Sequence, residues 1–231
     1  MIPNASPDMC VTADTDRTAV VVAGGYSTRF GDRDKALAKI DGRPMLARVV
    51  DRVENVVDSV VVSCRDDQRA AFAAALDGVD TPVRFVTDPE PDGGPLVGIT
   101  AAFETIDSPY AAVVACDMPF VDPAFVRFLF SRAAGHDAAL PELDDGHRQP
   151  TQAVYQVDRT ASVAAERLAA GKRSLRGLLA DLDTVVIPSA TVTDRTEPRS
   201  LTDVNTVETF DAVANAAPDE MVPDEMASDS E

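Results

Sequence analysis

Short, valine-rich apolar runs alternate along this chain with segments of helical periodicity, and this alternation constrains the fold more than any other feature. Each run is apolar without interruption, which is typical of a strand that is buried on both faces of a sheet. Helices between such strands predict an α/β fold with a mostly parallel sheet that is covered on both sides. The predicted strands are TAVVVAG, SVVVSC, VRFVTD, YAAVVACD and TQAVYQV, and the predicted helices are the segment after Pro44, LVGITAAFETI, PAFVRFLFSRAA and ASVAAERLAA.

The length of the chain, 231 residues, fits one sizeable domain rather than two. We place that domain at residues 17–215. Residues 1–16 are polar and contain prolines, and residues 216–231 carry acids and prolines without a base. Both ends are therefore predicted to be disordered tails.

Acidic residues outnumber basic ones by 39 to 21, which gives a formal net charge of −18. A surface of this sign repels phosphate at long range, so we expect neither nucleic acid nor anionic membrane as a partner. Only Lys35, Lys39 and Lys172 are lysines. Many acids with few lysines are typical of a high-salt proteome, where screening over roughly 3 Å at about 1 M salt weakens self-repulsion. We therefore expect a halophilic source.

The three cysteines, Cys10, Cys64 and Cys116, lie far apart in the sequence and show no CxxC spacing. This pattern predicts reduced thiols rather than disulfides or a zinc site. The N-terminal residues lack the basic and apolar regions of a signal peptide, and no apolar run approaches roughly 18 residues. These features predict a cytoplasmic protein.

Two adjacent glycines, Gly24 and Gly25, follow the first predicted strand. In parallel sheets, ligands bind beyond the carboxyl ends of strands, and glycines let backbone N–H groups approach a phosphate closely. Arg29 and Lys35 follow and offer positive charge in an otherwise acidic chain. A plain strand-to-helix turn with solvated basic residues is the alternative, but the charge pattern favours a phosphate site. The stretch has neither a dinucleotide fingerprint nor a GK[ST] loop.

Two further segments carry carboxylates that could hold a metal. Asp117 ends a buried strand in VVACDMP, and one carboxylate there can bind Mg²⁺, which takes its remaining ligands from phosphates and water. A turn or helix-cap role is the alternative. In LTDVNT, Asp203 and Asn205 occupy alternate positions of a possible last strand and would face one side. The alternative here is the N-terminal cap of a helix that starts near Thr206.

The loop TDPEPDGGPLVG is rich in turn residues and places Asp88 at a strand end, where it could bind a ribose or a base edge. A surface turn is the competing interpretation. A second group of basic residues, in DDGHRQPTQAVY and AGKRSLRGLL, could meet an anionic second substrate, although solvated helix ends would have the same pattern. The candidates in this group are Arg148, Lys172 and Arg173.

Taken together, five motifs in this order resemble the molybdenum cofactor guanylyltransferases, over roughly residues 20–210. The motifs are VVVAGGYSTRFGDRDKAL, DPEPDGGPLVGI, ACDMPF, RQPTQAVY and LTDVNT. The first and third are shared with a wider group of nucleotidyltransferases, whereas GPLVGI and DVNT narrow the match. The resemblance implies a Rossmann-like, three-layer nucleotidyltransferase domain. It also implies the transfer of GMP from GTP to molybdenum-bearing molybdopterin, with Mg²⁺ as cofactor and pyrophosphate as product.

Each implied role falls on particular residues of this chain. Catalysis would rest on Arg29, Lys35 and Asp117, and the metal on Asp117 and Asp203. The acceptor would contact Arg148, Lys172, Arg173 and Asn205. The implied GTP-binding residues are Val22, Ala23, Gly24, Gly25, Lys35, Ser63, Asp88 and Asp117.

Three positions bear on the identity of the substrates. Ser63 stands where the family often has Asn, and Asp203 where an Asn is common. The sequence AGG, where cytidylyl-transferring relatives tend to have AAG, favours guanine. Three alternatives stay open. The first is guanylyl or cytidylyl transfer to another phosphorylated acceptor, such as phospholactate or cobinamide phosphate. The others are cytidylyl transfer to molybdopterin and a non-catalytic nucleotide-binding adaptor. Transient contacts with molybdoenzymes or other cofactor-biosynthesis proteins are expected.

Overall fold

The computed structural model describes residues 16–25, 34–90, 93–206 and 209–210. The predicted tails, apart from Asp16, therefore lie outside the described residues, as do Arg29 and Cys10. The strands are β1 (Thr18–Val22), β2 (Lys39–Ile40), β3 (Arg43–Pro44), β4 (Ser59–Cys64), β5 (Val83–Thr87), β6 (Tyr110–Ala115), β7 (Ala138–Pro141), β8 (Gln152–Gln156) and β9 (Thr184–Ile187). The helices are α1 (Met45–Val53), α2 (Arg69–Ala75), α3 (Pro95–Phe103), α4 (Pro123–Ala133), α5 (Val157–Ala169), α6 (Leu175–Ala180) and α7 (Ser189–Thr193).

The main sheet has seven strands in the order β5-β4-β1-β6-β8-β7-β9. The first four are parallel, β8 runs antiparallel to both of its neighbours, and β7 and β9 are again parallel. The predicted α/β fold with a mostly parallel central sheet is confirmed. The five predicted strands correspond to β1, β4, β5, β6 and β8, and the four predicted helices to α1, α3, α4 and α5.

Helices cover both faces of the sheet, which gives the protein three layers. Neighbouring residues of β1 serve opposite faces, since Val21 belongs to the core cluster that includes residues of α1, α2 and α4, and Val20 to the cluster that includes residues of α3, α5 and α6. Both valines are fully buried. This double burial explains why the central strands are apolar without interruption.

Several elements were not predicted from the sequence. β2 and β3 form a small hairpin whose two turn residues, Asp41 and Gly42, have φ angles of 51° and 78°. Positive φ at both central positions is the geometry that an Asp-Gly pair favours in two-residue hairpins. The strands β7 and β9 and the helices α2, α6 and α7 also lie outside the predicted set.

The predicted last strand in LTDVNT is wrong. A 3₁₀ turn covers Pro198–Leu201, and residues 202–206, the described residues directly after it, form no strand. A backbone hydrogen bond ties the segment to the end of β6: the N–H of Val204 donates to the carbonyl of Asp117 at 2.8 Å. Thr206 Oγ1 accepts a hydrogen bond from the N–H of Thr209 at 3.1 Å, as a helix-capping residue does.

The limits 17–215 for the domain stay a prediction. In the described part of the chain, no helix is both long and apolar enough to span a membrane. Cys64 and Cys116 are both free thiols in the core.

Burial sets the ionisation of three core groups. It raises the pKa of the Cys64 thiol to about 11, against weaker lowering effects of Arg69 and Arg65. Burial also raises the pKa of Cys116 and of Tyr155, whose side chains the core excludes from water. All three groups are therefore neutral in the folded protein at physiological pH.

These shifts predict a loss of stability at alkaline pH. Because the folded-state pKa of Cys64 lies above its unfolded value, its contribution is complete below about pH 9 and is lost as pH rises through about 11. Denaturant titrations at molar KCl should show the free energy of unfolding falling across this range, with about 2–3 kcal/mol from Cys64. Cys64→Ala should flatten the slope, and an unchanged slope would contradict the assignment.

Candidate active site

Four strand ends meet at one edge of the sheet. The N–H of Ala23, just beyond β1, donates to the carbonyl of Ser63 in β4 at 2.8 Å, and the N–H of Asp88 donates to the carbonyl of Cys64 at 2.8 Å. On the other side of β1, the N–H of Cys116 donates to the carbonyl of Val22 at 3.0 Å. The predicted residues Gly24, Ser63, Asp88 and Asp117 are thus brought to the same edge, which is where parallel sheets bind ligands.

On one side of this edge, two glycines leave room for polar side chains. A Cβ on Gly98 of α3 would lie 2.5 Å from Ser63 Oγ and 3.3 Å from Asp88 Oδ2, and a Cβ on Gly24 would lie 3.3 Å from the same Asp88 oxygen. Ser63 Oγ is buried and has no hydrogen-bond partner among the described residues. Asp88 is buried and accepts the N–H of Glu90 through Oδ1 at 2.9 Å. The result is a compact polar corner with an uncommitted hydroxyl.

On the other side, Lys35 joins three predicted residues into one network. Its Nζ donates to Asp117 Oδ2 at 2.5 Å and to Asn205 Oδ1 at 2.8 Å. The side chains of Lys35 and Asp117 are only 16% and 14% exposed. Asn205 Nδ2 in turn donates to Asp203 Oδ2. Asp203 and Asn205 therefore do share one side, although no strand places them there.

The carboxylate of Asp117 is only half used by this network. Its Oδ1 atom is buried and has no hydrogen-bond partner among the described residues. An uncommitted carboxylate oxygen is a suitable ligand for Mg²⁺, which needs only one or two protein carboxylates when phosphates supply other ligands. No group of three or more potential metal-binding side chains occurs in the described ranges. The uncommitted oxygen of Asp117 thus fits a metal that is shared with a phosphate ligand.

Sequence reasoning missed Arg65, which directly follows β4. Its Nη1 donates to the carbonyls of Gly24 and Gly25 at 3.2 and 3.1 Å. Its Nε and Nη2 donate to the two carboxylate oxygens of Asp67 at 3.1 and 3.3 Å. The side chain is only 12% exposed. The sequence shows an arginine directly after a predicted strand. Its contact with the glycine turn can be inferred only when it is known that β4 lies beside β1.

A second missed pair fixes the start of the Lys35 turn. Asp34 caps the 3₁₀ turn Lys35–Leu37, because its Oδ1 accepts the N–H of Ala36 at 3.0 Å. Its Oδ2 accepts Gln68 Nε2 at 2.5 Å and lies 3.9 Å from Arg65 Nη2. Asp34 and Gln68 thereby tie this turn to the segment that follows β4.

The predicted acceptor residues are not joined by any contact that the described residues make. Arg148 lies in the turn between β7 and β8, and its Nε donates to Glu142 Oε2 at 3.2 Å. Arg173 instead donates to Glu90 Oε1 at 2.8 Å, on the loop that carries Asp88. Lys172 is exposed next to it. Arg173 is therefore near the strand-end site, whereas Arg148 pairs with Glu142. A contact between His147 and Arg176 nevertheless brings the two basic segments together.

Comparison with known proteins identifies related sequences. A family described as "MobA-like NTP transferase domain" matches residues 19–185. A probable molybdenum cofactor guanylyltransferase of Natronomonas pharaonis is 42% identical over 84% of this chain and 94% of its own length. One of Haloferax mediterranei is 35% identical over 87% of this chain and 95% of its own length. Both relatives come from halophilic archaea, which agrees with the predicted high-salt origin.

A solved structure has the same fold. The molybdopterin-guanine dinucleotide biosynthesis protein A of Archaeoglobus fulgidus superimposes with a TM-score of 0.70. The match covers 85% of this chain and 96% of that protein, at 24% sequence identity. At this identity the likeness concerns the fold alone.

The close approach of Ser63 Oγ to Gly98 leads to a prediction about stability. Gly98→Ala would force a Cβ within 2.5 Å of Ser63 Oγ, and we expect overpacking of about 1–3 kcal/mol to exceed the gain of about 1 kcal/mol in helix propensity. Ser63→Ala removes the colliding oxygen, so the same glycine substitution should cost at least about 1 kcal/mol less in that background. Urea unfolding of the two single variants and the double variant measures this difference. Equal costs in both backgrounds would contradict the packing argument.

Proposed function

Because the chain belongs to the MobA-like NTP transferase family, we propose that it transfers GMP from GTP to molybdenum-bearing molybdopterin and releases pyrophosphate. The activity named for its relatives in halophilic archaea supports this nucleotide and this acceptor. We also infer a cytoplasmic location and transient contacts with molybdoenzymes or other cofactor-biosynthesis proteins.

The observation that carries the proposal is the Lys35 network at the strand-end edge. Lys35 holds Asp117 and Asn205 at 2.5 and 2.8 Å, in a partly buried position where charge–charge interactions are stronger than in water. One oxygen of Asp117 is buried and has no hydrogen-bond partner among the described residues, so it is available to a ligand. This edge offers a nucleoside triphosphate three features: a cation to neutralise phosphate charge, a fixed carboxylate to hold a metal, and glycine backbone to contact a phosphate.

The reaction then follows from the charges of the substrates. A terminal phosphate oxygen of the acceptor forms a bond to the α-phosphorus of GTP, while the bond from that phosphorus to the bridging oxygen of the β-phosphate breaks. The pyrophosphate leaves with the electron pair. Since the attacking phosphate is already deprotonated near pH 7, no side chain needs to act as a general base. The protein contributes orientation and charge neutralisation.

Individual residues take the following roles in this proposal. Lys35 holds Asp117 in place and lies where the phosphates of GTP would bind, and the N–H groups of the glycine turn contact a phosphate. Arg29 supplies further positive charge, which stays a prediction because it lies outside the described residues. Bound Mg²⁺ would neutralise developing charge on the phosphate oxygens. Asp117 would hold it through Oδ1, with Asp203 as a second candidate ligand.

The polar corner formed by Ser63, Asp88 and the two glycines is the proposed site of the nucleoside. The Ser63 hydroxyl can donate and accept a hydrogen bond, and its lack of a partner among the described residues fits a contact with ribose or guanine. For the acceptor, Arg173 and Lys172 are the better-placed candidates because Arg173 is already linked to the Asp88 loop through Glu90. Arg148 is kept as a candidate with weaker support. Asn205 accepts a hydrogen bond from Lys35 at 2.8 Å, and its contact with the acceptor stays a prediction.

Isothermal titration with GTP, CTP and ATP, each with and without Mg²⁺ in molar KCl, tests the proposal. We expect selective, magnesium-dependent binding of GTP. Tighter binding of CTP would indicate cytidylyl transfer. If GTP binds but a separate assay shows no turnover of molybdopterin, another phosphorylated acceptor or an adaptor role is indicated. A protein that binds none of the three nucleotides would contradict the proposed function.

Substitutions in the Lys35 network should lower turnover. We expect Lys35→Ala and Asp117→Ala each to reduce kcat at least about tenfold, because the first removes a cation from the phosphate site and the second removes the proposed metal ligand and the partner of Lys35. Removing one partner of a partly buried pair also costs stability, so thermal unfolding of each variant must be measured alongside, and Asp117→Asn provides a variant of the same shape.

Two exposed residues provide matched controls for these variants. Lys39→Ala removes a lysine close in sequence, and Asp107→Asn removes an exposed carboxylate. Both should leave kcat within about twofold of the unmodified protein. Unchanged turnover in a folded Lys35 or Asp117 variant would remove that residue from the mechanism.

A further inference from the structure

Arg65 connects the two chain segments that flank residues 26–33. On one side its Nη1 donates to the carbonyls of Gly24 and Gly25 at 3.2 and 3.1 Å. On the other side its Nη2 lies 3.9 Å from Asp34 Oδ2. Asp34 is the residue that caps the turn of Lys35. One side chain thereby contacts both parts of the proposed phosphate site.

The hydrogen bonds to the glycine carbonyls also fix the direction of the N–H group in the same peptide unit. A peptide unit is planar and trans, so its N–H points away from the direction of its C=O. When Arg65 holds the carbonyl of Gly24, the N–H of Gly25 is directed away from Arg65. Because glycine backbone rotates more freely than any other, this orientation would otherwise have to be fixed when the nucleotide binds.

Arg65 is itself held rigidly enough to impose an orientation. Asp67 accepts both Nε and Nη2, at 3.1 and 3.3 Å, and Gln68 Oε1 accepts the N–H of Arg65 at 2.9 Å. Gln68 also donates to Asp34 at 2.5 Å. The planar guanidinium suits this task, because its five N–H groups point in fixed directions.

The charges around Arg65 argue against simple attraction of an anion. Its guanidinium lies between the carboxylates of Asp67 and Asp34, which offset its positive charge, and molar salt screens what remains within roughly 3 Å. Arg65 therefore contributes more by its hydrogen bonds to the glycine turn than by attracting an anion. Arg69, one helical turn further on, is an exposed arginine without this contact and serves as a matched control.

We propose that Arg65 is a positioning residue for nucleotide transfer, which sets the orientation of the Gly24–Gly25 backbone and, through Asp34, the placement of Lys35. This inference rests on the proposed function. It assigns Arg65 no contact with the reacting atoms. Both the affinity for the nucleotide and the turnover depend on it, because the glycine turn serves binding and Lys35 serves charge neutralisation.

The experiment compares Arg65→Gln, Arg65→Lys and Arg69→Gln in the full-length protein in molar KCl, with melting temperatures as a check on folding. We expect Arg65→Gln to raise the GTP dissociation constant about tenfold and to lower kcat about tenfold. Arg65→Lys keeps the charge but not the fork, so it should stay within about threefold of Arg65→Gln. Arg69→Gln should stay within about twofold of the unmodified protein. Full activity of Arg65→Lys, or equal losses at positions 65 and 69, would overturn the proposal.

A double variant tests whether Arg65 acts through Lys35. In a Lys35→Ala background, the loss of kcat caused by Arg65→Gln should shrink to less than about twofold, because a misplaced lysine no longer matters. Full additivity of the two losses would overturn this part. The unmodified protein reports separately on the proposed function: if it prefers CTP, the same ratios are measured with CTP and still decide the role of Arg65. If it binds no nucleotide, both proposals fall.

Discussion

The parallel pairing of β5, β4, β1 and β6 is the constraint on which the rest of the site depends. These four strands are adjacent and run in the same direction, so their carboxyl ends lie at one edge. Gly24, Ser63, Asp88 and Asp117 lie at or just beyond those ends. A slip of one residue in β1 would exchange Val20 and Val21 between the two cores and would also move Gly24 away from Asp88. The core therefore fixes the register, and the register fixes the site.

A protein with a net charge of −18 must bind an anion through short-range contacts. Its overall field repels phosphate, and in molar salt any field is screened within roughly 3 Å. Long-range electrostatic attraction or repulsion of the anion is then weak, and direct hydrogen bonds and ion pairs decide binding. Lys35, the cation of the proposed phosphate site, is accordingly only 16% exposed, and Arg65, which contacts the glycine turn, is 12% exposed. Sheltered from bulk salt, each keeps contacts that an exposed lysine would share with counterions.

The sequence predicted the central layers well because continuous apolar runs and helical spacing are local signals. It missed the hairpin at Asp41 and Gly42, although an Asp-Gly pair is a strong turn signal, because two-residue strands carry almost no pattern. Lys35 and Asp117 were identified from motifs, and the structure joins them at 2.5 Å. Arg65 was not identified, because its role depends on which strand lies beside β4. Such contacts between distant segments are set by topology and not by local sequence.

The site extends beyond the segment that matches the family. That segment ends at residue 185, yet the Lys35 network includes Asp203 and Asn205. Asn205 uses both ends of its amide, since its oxygen accepts from Lys35 and its nitrogen donates to Asp203. The same C-terminal segment is tied to the backbone of Asp117 through Val204, whose side chain is fully buried. Val204 thus anchors Asp203 and Asn205 beside Asp117. Lys35 consequently takes its position from three separate parts of the chain: the Asp34 cap, Asp117 beyond β6, and Asn205 beyond the family segment.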